Sequence, residues 1–195
     1  LADPPPDTSV ATTPVVFAAT ESTAEALEGA GFASLAGGTV AAALPDPVAV
    51  GSSAAALLAL QTALGGDART FTGIVLGLDA GVVPTAADAL DAAAAASEPT
   101  IAVTTEQAVE LFNDGAGERL VALHPTDVQP VVSIPLVTLA DADEETLAAA
   151  EKLSGALAGD GDALAAYGLR DAAGHGDAYG DADTAAEPTD GVNQA

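Results

Sequence analysis

The chain has 195 residues, carries 29 acidic against 4 basic side chains for a formal charge of -25, and contains no cysteine. The length suits one domain with a real core. The charge works against nucleic acid or anionic lipid, which are bound through Lys/Arg patches, and the missing thiols exclude disulfides, zinc-thiolate sites and catalytic cysteine. Apolar residues make up 49% but aromatics only 3%, so the core is built from Ala, Val and Leu and depends on close approach of its elements.

Residues 1–13 (LADPPPDTSVATT) read as a flexible linker with three consecutive prolines. Residues 173–195 read as an acidic Gly/Ala/Asp-rich tail. Neither holds enough apolar surface to offset its ordering entropy. Residues 14–172 between them form the folded unit.

TPVVFAA (13–19) is a β-branched run and predicts a strand. A helix follows in STAEALEGAG, with Ser22 and Glu25 at capping-box spacing and Gly29 and Gly31 as stops. TVAAAL (39–44) predicts a strand ending in the turn Pro45-Asp46-Pro47, and an Ala/Leu helix then runs from about Ser52 to Leu64. Residues 70–78 (TFTGIVLGL) fit a strand by β-branching and a helix by context. Pro84-Thr85 opens the helix AADALDAAAAA, with Thr85 and Asp88 at cap spacing.

TIAV (100–103) reads as a buried strand and TTEQAVELF as the helix after it, Thr104 and Gln107 matching a capping box. RLVALHP (119–125) is a further strand. PVVSIPLVTLA (130–140) is an extended run whose Pro135 belongs on an edge or at a crossing. Helices close the chain over 141–172, the first with acids in its opening turn as the macrodipole prefers. Strands alternating with helices predict an α/β lobe of three layers, a mostly parallel central sheet flanked by helices.

The order TIAVTTEQAVELFN…RLVALHPTDVQPVVSIPLVTLADADEETLAAAEKLSGAL…LAAYGLRDAAG resembles the second lobe of a type 2 periplasmic, or extracellular, solute-binding protein. More narrowly it resembles the actinobacterial substrate-binding domains that precede a von Willebrand factor A domain. The similarity spans roughly residues 14 to 174 and rests on short ordered motifs, including a strand that ends in a D-P turn and a GLRDAAG end where the family shows a Gly-Phe-Arg-like sequence. It implies an exported protein, outside the cell or in the envelope, that binds a small solute between two lobes by hinge closure. Residues 13–19 and 130–140 would be the hinge strands. One lobe is present here.

Two polar helix starts then become candidate ligand contacts: Asp46, Gly51, Ser52 and Ser53, and Thr104, Thr105, Glu106 and Gln107. A strand's carboxyl end followed by a helix places unsatisfied N–H groups and the positive dipole end on the ligand side of an α/β sheet. The plainer reading of each is helix capping, by serine at 52–53 and by Thr104 with Gln107. Glu106, with no Arg or Lys near it in sequence, argues against an anionic ligand. His124 and His175 have no metal-ligand spacing, and no G-x-S-x-G or phosphate loop occurs. The reading is therefore non-catalytic, without cofactor or metal, and the partner is a small polar solute or a second lobe of the parent protein. The alternative is an interaction module that docks a von Willebrand factor A or other domain, or a second copy of itself as a homodimer, and binds no solute. No membrane insertion is expected, since no apolar run reaches 18 residues.

Overall fold

The computed structural model describes residues 9–176 apart from 39, 116 and 140. Its centre is one long strand, β1 (Ser9–Ala19), fully buried from Val10 onward. β1 begins four residues before the predicted strand. Residues 9–13 (SVATT) are small or β-branched and gain a pairing partner in β6 (Val131–Pro135), with Ser9 opposite Pro135 and Pro14 opposite Val131. The expected linker is thus strand over 9–13, and residues 1–8 lie outside the described residues. So do residues 177–195 of the expected tail. Its described start is a compact turn in which the Asp171 carboxylate accepts from the Ala173 and His175 amides at 2.9 and 2.8 Å.

Two strands flank the upper half of β1. β4 (Thr100–Thr105) pairs antiparallel on one side with Val15 opposite Thr105, and β5 (Val121–Leu123) pairs antiparallel with Phe17 opposite Leu123. β2 (Ala41–Pro45) continues the sheet parallel to β4, and the two-residue β3 (Val82–Val83) lies parallel beyond β2. The order is β3-β2-β4-β1-β5, with β6 also on β1. The described sheet is mixed but largely parallel in direction, because β1 alone runs against its neighbours. β6 has five residues and pairs with β1 on one side, so Pro135 closes an edge strand, where its missing N–H costs no ladder bond.

Alternate residues of the strands feed two cores. Val15, Phe17, Leu44, Ile101 and Val103 pack on one face beneath Ala56, Ala59 and Leu60 of α2 (Gly51–Ala63), with Phe32 from a 3-10 turn. Phe17 and Phe32 meet edge to face with ring centroids 5.0 Å apart. Val16, Ala18, Ala43 and Ala102 pack on the other face against Ala89, Leu90 and Ala93 of α4 (Ala86–Ala95) and Val109 of α5 (Glu106–Asn113). This is the predicted three-layer α/β arrangement. Alanine at so many contact positions lets helix and sheet approach closely, and methyl-scale changes there are felt.

Residues 70–78 resolve as helix. α3 (Ala68–Leu78) is started by Asp67, whose carboxylate accepts from the Arg69 amide at 3.0 Å and the Thr70 hydroxyl at 2.8 Å. That cap outweighs the β-branched composition. The Thr85–Asp88 box forms as predicted, the Asp88 amide donating to Thr85 Oγ1 at 3.2 Å and the Thr85 amide to Asp88 Oδ2 at 3.0 Å. The Ser22–Glu25 box does not form. The N-cap of α1 (Glu21–Ala26) lies two residues earlier, at Thr20, whose hydroxyl donates to Thr23 Oγ1 instead of capping the backbone.

The chain finishes with α6 (Glu144–Gly159) and α7 (Gly161–Ala165). α7 ends in a left-handed turn at Gly168, φ 67°, with the Leu169 amide returning to the Leu164 carbonyl at 3.0 Å. Gly168 also lies on α5, where a Cβ would stand 2.9 Å from Glu110 Cβ and 3.1 Å from Gln107 Cα. Gly168→Val therefore meets both a backbone penalty and a clash, and should cost about 2 kcal/mol, read as a melting temperature lower by roughly 4–8 °C in a thermal scan.

Candidate functional site

β2 and β4 are parallel, with Ala41 opposite Thr100 and Ala43 opposite Ala102, so both end at the same sheet edge. Five residues separate the end of β2 from the start of α2, and α5 directly continues β4. β5 is antiparallel to β1, as β4 is, and ends at the same edge, just before His124. The two predicted polar helix starts thus share one rim. Between them β1 runs on past the end of β4 to its pairing with β6.

At the first start the backbone does the work. Asp46 Oδ1 accepts from the Val48 amide at 2.9 Å, while the Asp46 carbonyl accepts from the amides of Ala49 and Val50 at 3.0 and 2.8 Å. The N-cap of α2 is Val50, which has no capping side chain, and Gly51 is the first helical residue. The predicted serine cap is therefore corrected. Ser52 and Ser53 sit one and two residues inside the helix and are buried. The Ser53 hydroxyl has no hydrogen-bond partner among the described residues. Gly51 is exposed and a Cβ there would meet nothing within 4 Å.

The second start differs from its predicted box as well. Thr105, not Thr104, caps α5, its hydroxyl accepting from the Ala108 amide at 3.3 Å. Thr104 remains in β4, buried, with no hydrogen-bond partner for its hydroxyl among the described residues. The Gln107 amide donates to Thr13 Oγ1 at 3.1 Å, a bond to β1 rather than within a box. The segment starts its helix one residue later because Thr104 still pairs with Val16 in the sheet.

Glu106 is the main correction. Its side chain is 0% exposed and does not line the rim as a free carboxylate. Arg170 grips it with two bonds, Nε to Oε2 and Nη2 to Oε1, both 2.8 Å, and His124 Nε2 lies 3.1 Å from Oε1. Arg170 is 12% and His124 19% exposed. Burial alone would push the Glu106 carboxyl up. Hydrogen bonds from Arg170 and His124, together with their charge, outweigh it and hold the group at about 2. The absence of a cation near Glu106 in sequence is made good from 64 residues away in the chain. Neither Arg170 nor His124 was singled out as a site residue, although a fully buried carboxylate demands such a partner and the chain has only 4 basic residues and 2 histidines.

Neighbouring charges at this end include Glu110, whose carboxyl is raised by partial burial and by Asp114, against the opposing pull of Arg119. No group of three His, Cys, Asp or Glu side chains among the described residues is placed to hold a metal ion. No helix among them is long and apolar enough to cross a membrane.

Comparison with known proteins adds the fold and little else. No family model and no curated protein matches the chain. A solved structure described as a two-component system protein that mediates signal transduction superposes with a TM-score of 0.63 at 12% identity, over 93% of this chain and 60% of that one. At that identity the likeness concerns the fold alone. This chain spans 60% of the length of that structure.

The depressed Glu106 carboxyl has a signed consequence. Its pairing contributes stability that is complete above the ordinary value of 4.5 and is lost as pH falls toward about 2. Denaturant midpoints measured from pH 6 down to pH 2 should therefore fall through this window, and Glu106→Gln should flatten that part of the profile while lowering the plateau at neutral pH.

Proposed function

We propose that this chain forms one wall of a cleft for a small polar solute, in a non-catalytic exported protein of the solute-binding type. The observation that carries the reading is the shared rim: two parallel strands deliver the starts of α2 and α5 to one sheet edge, the position at which α/β sheets take ligands. The α2 start offers what a ligand needs there. Its first turn has no side-chain cap, Gly51 lies open to solvent, and the dipole's positive end faces outward.

At the α5 start the contacts available to a solute are fewer than the sequence suggests. Thr104 and Glu106 are enclosed, leaving Thr105 and Gln107 half-buried at the surface. Because Arg170 neutralises Glu106, the carboxylate no longer weighs against an anionic group on the ligand. The pairing of β1 with β6 supports their part as hinge strands, since both run beyond the ends of β2 and β4.

Docking to another domain is the second reading, favoured by α6. That helix buries none of its residues, and Leu147 and Leu153 are exposed on it. Val137 and Leu139 add to the same region, and Leu136, Thr146 and Ala150 help line a shallow groove beside it. Such a surface suits a second lobe, a von Willebrand factor A domain or another copy of the chain.

A thermal-shift screen of the full-length protein against small polar solutes tests the first reading. A solute that binds the folded state stabilises it by about 2.7 kcal/mol at one hundred times its dissociation constant, and Gly51→Val should remove the shift without lowering the ligand-free melting temperature. A library without any stabilising solute, or a shift that survives Gly51→Val unchanged, would place the function at the α6 surface instead.

A further inference from the structure

The lower half of β1, residues 9–14, leaves the main sheet as a two-stranded ribbon with β6. On its other side, where β4 has already ended, the chain's last described segment takes over. The Thr12 amide donates to the Arg170 carbonyl and the Arg170 amide to the Thr12 carbonyl, both at 2.9 Å. The Thr12 hydroxyl donates to the Asp171 carbonyl at 2.7 Å. Arg170 is thereby held to the ribbon by its main chain. Its side chain reaches back and holds Glu106, the first residue of α5, which belongs to the body of the sheet. His124, at the end of β5, supports the same carboxylate from another strand.

We propose that residues 169–171 form a latched strap that sets the angle between the β1–β6 ribbon and the main sheet, with the Arg170–Glu106 pair as its catch. Bending the ribbon about residues 14–15 requires Arg170 either to leave Thr12 or to leave Glu106. Leaving Glu106 strands a carboxylate that has no exposure to water, which is costly, so the closed catch resists bending. With the catch open, the ribbon keeps its pairing to β6, and the bond from the Gln107 amide to Thr13 Oγ1 has to lengthen or break as the ribbon moves. Gly168 fits this role: its left-handed turn directs the strap off α7, and its lack of a side chain lets the strap lie against α5. The inference rests on the ribbon and the catch alone and stands apart from the solute reading.

Hydrogen exchange read by mass spectrometry on the full chain tests it, using Arg170→Ala and Arg170→Lys at neutral pH. Arg170→Ala should speed exchange of the amides in residues 9–13 and 131–134 and in the first turn of α5 by about tenfold or more, while α2 and α4 stay within about twofold of wild type. Arg170→Lys, which keeps the charge but loses the two-pronged grip, should show the same regional pattern at smaller amplitude. Ribbon amides that exchange as in wild type would overturn the proposal, and so would acceleration spread equally over α2 and α4. If Arg170→Ala does not fold, the regional pattern in Arg170→Lys decides between the same outcomes.

Discussion

One buried carboxylate constrains how the end of the sheet that carries the α2 and α5 starts is built. Glu106 follows β4 directly and points into protein, where an ionised group survives only if its charge and both oxygens are met. Arg170 meets them with two parallel bonds and His124 adds a third. The consequences extend beyond the pair. Arg170 sits at the end of the chain's helical finish, so the requirement of Glu106 fixes the path of residues 166–171. That path in turn supplies the pairing partner that Thr12 would lack once β4 has ended. A buried pair of this kind is weak evidence for net stability against an apolar replacement, but removing one member leaves an uncompensated charge. Its role here is to specify position.

The rim is a product of strand direction. β1 lies in the middle of the sheet and runs against β4, β5 and β6. Because β2 and β4 run together, the starts of α2 and α5 face the same way, and because β1 is reversed, its first half extends past them. The exposed Gly51 turn, the capping Thr105 and the ribbon are therefore neighbours by topology. The two alanine-rich cores then hold these elements at short range, with Ala89 and Ala93 fully enclosed between α4 and the sheet. Gly81 shows the same tightness, since a Cβ there would collide with the Ala42 carbonyl.

Much of the layered fold is legible in residue order. β-branched runs mark β1, β4 and β6, and Thr85 with Asp88 marks a helix start through local bonds that need no tertiary context. Less was legible where the outcome depends on distant partners. Strand direction leaves no trace in a period-2 pattern, so the reversal of β1 was not visible. Residues 9–13 look like linker until β6 is known to lie beside them. Thr104 and Ser53 carry capping chemistry, but the sheet claims the first and the helix starts two residues ahead of the second. The Arg170–Glu106 contact joins residues 64 apart, which no local motif encodes.

The central claim is that Arg170 and Glu106 act as one unit, and a double-mutant cycle measures that most directly. Unfolding free energies of the chain with Arg170→Met, Glu106→Gln and both together give the coupling between the two side chains at neutral pH. The account predicts non-additivity of about 1–3 kcal/mol, the double variant losing much less than the two single losses combined. Additivity within about 0.5 kcal/mol would contradict it.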